Sequence, residues 1–273
     1  PYRRQRQMCI RDRIYFIGAG PGAADLITVR GKELLEKADL IIYAGSLVNP
    51  DLLHYAKQGC KIMNSATMTL EEVIAAMVPA AQQGKLVVRL HTGDPSVYGA
   101  HREQMDMLDS YNLDYEVVPG VSSFCAAAAA LKAEYTLPDV SQSVIITRME
   151  GRTGVPPKQK IIDYAKHHAT MVIFLSAAML DKLQKELIAG GYKAEEPAAI
   201  VYKASWPDQK VFRCTVGTIA ETAEKNHIRN LALITVGGFL GTAYERSELY
   251  NPTFETGFRK ADASKLNVKP EME

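Results

Sequence analysis

Three short stretches carry residue types that could hold a small charged ligand. Thr92-Gly93-Asp94-Pro95-Ser96-Val97-Tyr98-Gly99 sets a carboxylate in a tight turn, where Asp94 can accept from hydroxyl or ammonium groups. Pro119-Gly120-Val121-Ser122-Ser123 ends in two hydroxyls that can cap a helix and leave an amide and a hydroxyl for a ligand. Gly18-Ala19-Gly20-Pro21-Gly22 packs three glycines into five positions, so the backbone can turn sharply and come close to whatever binds there. Each stretch also has a plain reading. Gly-Asp-Pro is ordinary turn chemistry. The alanines 126–130 that follow Cys125 can be mere helix propensity, or can leave room for a flat ligand.

The glycine turn raises the question of NAD, because Gly18-x-Gly20-x-x-Ala23 satisfies the dinucleotide fingerprint. Two features argue against it. Pro21 removes an N–H and fixes φ where the fingerprint turns donors toward a pyrophosphate. The second strand should end in an acid that holds the ribose, and it ends in Tyr43-Ala44-Gly45-Ser46.

The elements that must position these residues follow from the apolar pattern. Runs at 14–17, 39–43, 61–63, 86–90 and 115–118 predict strands, with helices over 29–37, 50–58, 70–83 and 99–110. Thr28 or Asp25 is the expected N-cap of the first helix. Strands alternating with helices predict a parallel sheet covered on both faces. Ligands bind such sheets outside the carboxyl ends of the strands, where all three stretches fall.

Between Leu131 and Val140 the alternation breaks, and Pro138 marks an expected hinge. Runs at 143–147, 171–175, 198–203, 211–216 and 231–236 predict a second α/β unit. The spacing of 198–216 around Trp206-Pro207-Asp208-Gln209 suggests a hairpin, so the second sheet should be mixed. Met179 reads as a core residue at a helix start. The expected division is a leader at 1–13, an N-terminal α/β domain at 14–138, a C-terminal α/β domain at 139–261 and a tail at 262–273.

Composition narrows the class. Hydrophobic residues at 47% and charged residues at 23% suit a globular enzyme. Lys+Arg 32 against Asp+Glu 31 gives no field that would favour nucleic acid or a membrane surface. No apolar run approaches the ~20 residues of a membrane span. Four scattered cysteines without C-x-x-C spacing suggest a reduced, cytoplasmic protein, and no His/Cys ligand cluster suggests a metal. Residues 1–13 carry five arginines unlike the rest, and an extraneous leader is the expectation, with a basic arm as the alternative.

Together the three turns, each after a strand and in this order, resemble the tetrapyrrole methylases, S-adenosylmethionine-dependent enzymes of corrin and sirohaem synthesis. The likeness covers about 14–261 and includes Tyr244-Glu245-Arg246-Ser247-Glu248-Leu249-Tyr250-Asn251-Pro252. Segments 43–48, 89–96 and 150–156 are similar to the branch that methylates precorrin-4 or cobalt-precorrin-4 at carbon 11. The uroporphyrinogen-III branch usually has an Asp after strand two and a Lys after strand three; here Ala44 and Ser65 stand there.

The resemblance implies a homodimer of paired α/β domains, with the cofactor in a cleft between the two domains. By motif it implies cofactor contacts at Pro21, Thr92, Gly93, Asp94, Val97, Ser122 and Ser123, and adenine contacts at Met179 and Ala204. It names no acid or base, and S-adenosylhomocysteine would be the product. Arg89, Arg102, Arg148 and Arg152 are candidates by position for the substrate's carboxylates, and each can equally be a solvated charge.

Overall fold

The computed structural model describes residues 14–45 and 47–267. The arginine-rich leader expected at 1–13 lies outside the described residues. The chain falls into two compact units, one of residues up to Ala130 together with Lys203–Lys210, the other of Leu131–Tyr202 and Val211 onward.

The first unit holds β1 (Ile14–Gly18), α1 (Val29–Lys37), β2 (Leu40–Tyr43), β3 (Lys61–Asn64), α2 (Leu70–Gln82), β4 (Val87–His91), α3 (Arg102–Ser110), β5 (Tyr115–Val118) and most of α4 (Ser123–Leu131). The strands form a parallel sheet in the order β3-β2-β4-β1-β5. Side chains alternate across it. Ile14, Phe16, Ile42 and Val87 meet Met77 of α2 and Leu108 of α3 on one face. Tyr15, Ile17, Ile41 and Val88 meet Leu35 of α1 on the other. Burial on both faces explains the unbroken apolar runs of β1 and β2.

Thr28 caps α1, its Oγ1 accepting from Gly31 N at 3.1 Å, and Asp25 has no part in the cap. Two helices differ from expectation. Residues 50–58 form a 3₁₀ helix over Pro50–Tyr55 that buries only Leu52, too narrow a face to hold an α-helix. The helix expected from 99 starts at Arg102, because Tyr98 (φ 56°) and Ala100 (φ 46°) are left-handed.

The second unit contains β6 (Val144–Arg148), α5 (Ile161–Ala165), β7 (Thr170–Phe174), α6 (Leu180–Ala189), β8 (Pro197–Tyr202), β9 (Lys210–Thr215, from Val211), α7 (Ile219–Lys225) and β10 (Ala232–Val236). Its sheet runs β6-β7-β10-β8-β9 and is mixed: β6 and β7 are parallel, and β10 is antiparallel to both β7 and β8. No helix among the described residues is long and apolar enough to cross a membrane.

Candidate functional site

Because β4 and β5 flank β1, the turns that follow these three strands emerge side by side. They are in backbone contact. A methyl group at Gly18 would lie 2.6 Å from Gly120 Cα and 2.6 Å from Gly93 O; one at Gly120 would lie 2.2 Å from Gly93 O. Only glycine permits that approach. Gly20 and Gly93 exchange backbone hydrogen bonds of 3.2 and 2.9 Å.

Asp94 ties the second turn to the third. Its Oδ2 accepts from Gly120 N at 2.8 Å, and its Oδ1 accepts from Ser96 N at 2.8 Å and from the Ser96 hydroxyl. Partial burial pushes the Asp94 carboxyl up, yet the hydrogen bonds from Ser96 and Gly120, with His101 nearby, outweigh it and hold it below the usual value. The carboxylate is therefore ionised at neutral pH, a turn former and a staple at once. Thr92 donates from Oγ1 to Leu47 O at 3.2 Å, Val97 N donates to Asp94 O, and buried Ser122 accepts at its carbonyl from Cys125 N as α4 begins. Ser123 opens that helix, in which Ala126 and Ala127 are buried and Ala129 is exposed.

The first turn spends its polar groups on the protein. Ala23 N donates to Ser205 Oγ (3.0 Å), Pro21 O accepts from Trp206 Nε1 (3.2 Å), and Gly22 O accepts from Asn49 Nδ2 (2.9 Å). Asn49 was not singled out by sequence; Asn-Pro reads only as a turn or cap, and Asn49 does also cap the 3₁₀ helix through Asp51 N. Ala204 is buried beside Ser205.

Met179 belongs to the second unit. It occupies the N-cap position of α6, packs against that unit's core, and a methyl group at Gly151 would lie 3.3 Å from its Cε. The four arginines have separate surroundings. Arg89 is buried on β4, donating from Nε to Gln104 Oε1 (3.0 Å) and from Nη1 to Ile42 O (3.2 Å), and burial lowers its pKa to about 10. Arg102 pairs with Asp106 on the exposed face of α3. Arg148 donates to Met149 O, Thr153 O and Gly154 O, so it organises the 149–154 loop. Arg152 is exposed in that loop.

Next to Arg89 lies a histidine to which its sequence context assigns no role. His91 ends β4, stacks on Phe16 (5.9 Å) and meets His101 edge-on (5.8 Å). Among the described residues its buried Nε2 has no partner. Burial, then the charge of Arg89 and the proximity of His101, drive its pKa to about 3 against an opposing backbone hydrogen bond at Gly99. Among the described residues no group of three His, Cys, Asp or Glu side chains is placed to hold a metal.

Residues 13–220 match the family described as tetrapyrrole (corrin/porphyrin) methylases. The chain belongs to that family. This tetrapyrrole methylase is 56% identical over 250 residues to the cobalt-precorrin-4 C(11)-methyltransferase of Methanocaldococcus jannaschii, covering 91% of this chain and 96% of that one. It is similar to the X-ray structure of a cobalamin biosynthetic enzyme, cobalt precorrin-4 methyltransferase, with TM-score 0.83 and 48% identity, over 84% of this chain and 96% of that one. The uroporphyrin-III C-methyltransferase of Thermus thermophilus, solved with S-adenosyl homocysteine, gives TM-score 0.70 at 26% identity, over 86% of this methylase and 96% of that chain.

Proposed function

We propose that the protein transfers a methyl group from S-adenosylmethionine to carbon 11 of precorrin-4 or cobalt-precorrin-4, in corrin biosynthesis. The observation that carries the substrate is the 56% identity, across nearly the whole chain, to an enzyme named for that reaction. The first unit's turns fit the cofactor. Residues 18–23, 92–99 and 119–123 contain no Lys or Arg, and their one acid is Asp94. A cationic sulfonium and ammonium suit such a site. A pyrophosphate does not, since Pro21 lacks an N–H and the amides of Gly20 and Ala23 are already bonded within the protein. This disfavours the NAD-dependent oxidoreductase reading.

Pro21, Thr92, Gly93, Asp94, Val97, Ser122 and Ser123 are the proposed contacts for the methionine portion and ribose, with Ala204 and Met179 for adenine. Bound S-adenosylmethionine supplies a methyl group already activated on sulfur. The residues' task is then to hold the donor in one pose and keep water away, which is where the rate comes from. No side chain is assigned as acid or base. Ala44 and Ser65, at the ends of β2 and β3, offer no ionisable group to a macrocycle, and the Ser65 hydroxyl donates to Tyr43 O at 3.1 Å. That favours precorrin-4 over uroporphyrinogen III; cobalt, where present, arrives with the substrate.

Mass spectrometry after incubation with each tetrapyrrole and a labelled methyl donor tests the assignment. The label is expected on precorrin-4 or its cobalt complex. Label on uroporphyrinogen III alone would reject it.

A homodimer goes with this reading. Tyr244, Leu249, Tyr250 and Phe258 are at least 60% exposed, in a stretch where Arg259 donates to Leu249 O and Asn251 O. Large apolar side chains left exposed along one stretch of chain suit a protein interface. Light scattering should give twice 30.1 kDa; a monomer at assay concentration removes the dimer. With Cys60, Cys125 and Cys214 unpaired, a reducing cytoplasm is the proposed compartment, which cell fractionation checks.

A further inference from the structure

The segment Lys203–Lys210 lies far along the chain from the rest of the first unit, yet it packs there, against the glycine turn. Trp206, the chain's single tryptophan, donates to Pro21 O, and Ser205 Oγ accepts from Ala23 N. The indole also covers Gly22: a methyl group there would sit 2.0 Å from Trp206 Cδ1 and 2.2 Å from Nε1. Gly22 is not left-handed, so its own backbone would accept alanine. What forbids a side chain at 22 is the tryptophan.

The segment is itself braced. Lys203 pairs with Asp208 at 2.6 Å, and its Nζ lies 5.3 Å from the indole centroid. Gln209 Oε1 accepts from Ser205 N at 2.7 Å, and Gln209 N donates to Trp206 O at 3.0 Å. Lys203 (φ 47°) and Ser205 (φ 68°) are held left-handed on either side of Ala204, a conformation costly for side chains of their kind. Two strained residues and two hydrogen bonds to one turn mark a segment held for the sake of that turn.

We propose that Trp206, with Ser205, is a positioning residue for the cofactor: it fixes Pro21-Gly22-Ala23 in the shape that the methyl donor meets. Trp206 at Pro21 O and Ser205 at Ala23 N satisfy turn groups that a mobile loop would offer to water. This rests on the reading of the glycine turn as part of the cofactor site. It adds a residue whose size, and not only its hydrogen bond, sets that turn.

The size relation gives the test. S-adenosylhomocysteine is titrated by calorimetry into wild-type protein, Gly22→Ala, Trp206→Ala and the double variant, with melting temperature and unliganded tryptophan emission recorded where Trp206 remains. Gly22→Ala should weaken binding about tenfold and shift the emission to the red as the ring is displaced. Trp206→Ala should weaken it similarly. The double variant should bind no worse than Trp206→Ala, because the added methyl then has room, so the two penalties fail to add. Trp206→Phe, which keeps an aromatic side chain but removes Nε1–H, should raise KM for S-adenosylmethionine about threefold with kcat nearly unchanged, a split that general destabilisation does not produce. Unchanged affinity and emission in Gly22→Ala, or strictly additive losses, would overturn the proposal. Failure of wild-type protein to bind S-adenosylhomocysteine is seen before any variant is compared. It overturns the cofactor reading and the positioning role with it, while the emission shift still reports the contact.

Discussion

Gly120→Ala is expected to cost about 3 kcal/mol of stability and to weaken S-adenosylhomocysteine binding more than tenfold. A methyl group there would meet Gly93 O at 2.2 Å and Gly18 Cα at 2.7 Å. Those atoms are backbone, one at the end of β1 and one in the turn after adjacent β4, so no flexible side chain can swing aside. The turns must separate, and Gly120 N then draws away from Asp94 Oδ2, undoing the staple between the second and third turns. Gly59 is the control. It is left-handed (φ +83°) with open space around its missing side chain. Alanine there should cost roughly 1–2 kcal/mol of conformational strain and leave cofactor affinity alone. Thermal denaturation and calorimetric titration of both variants separate crowding from strain. Native-like melting and affinity in Gly120→Ala would show that the three turns do not form one cradle.

Much of this arrangement can be read from the amino-acid order. The strands β1 and β2 stand out because burial on both sheet faces demands unbroken apolar runs such as Ile14–Ile17 and Leu40–Ile42. The apolar run of β4 is interrupted by Arg89, and β3 and β5, at the sheet edges, are largely exposed. The glycine-rich turns are visible for a related reason, since few other residues tolerate such backbone proximity. That β4 and β5 flank β1, and so bring the turns together, is a property of strand order that no local pattern carries. The late start of α3 was equally hidden, because Tyr98 and Ala100 have no left-handed preference to announce it. The Trp206–Pro21 contact spans 185 residues, and a hairpin tip at 206–209 is all that the spacing reveals. Arg89 and His91 look like any charged pair near a strand end. Their burial comes from the side of the sheet they occupy, beneath α3 and beside Phe16.

His91 should make the protein lose stability on mild acidification. In the unfolded chain its imidazole titrates near the ordinary value of 6.5, and in the folded protein near 3. Below about pH 6.5 the unfolded state therefore binds a proton that the folded state refuses. Stability is full above that pH and falls as pH drops toward 3, by about 2 kcal/mol between pH 7 and pH 5. The groups around the ring explain the refusal. Phe16 offers only its face, the Arg89 guanidinium repels a second charge, and His101 stands edge-on. Asp94 has the opposite position on the pH scale. Its depressed carboxyl contributes stability present above its unfolded value and lost as pH falls through its folded one, so its window lies below about pH 4 and leaves the His91 window clear. His91→Gln removes the titration while keeping a polar side chain of moderate size. Urea denaturation followed by Trp206 fluorescence, a probe in the same unit, should show the loss between pH 7 and pH 5 shrinking by about 2 kcal/mol in the variant. An equal loss in both proteins would mean that His91 is free to protonate in the folded state, and that the cluster behind the Thr92–Gly99 turn opens in acid.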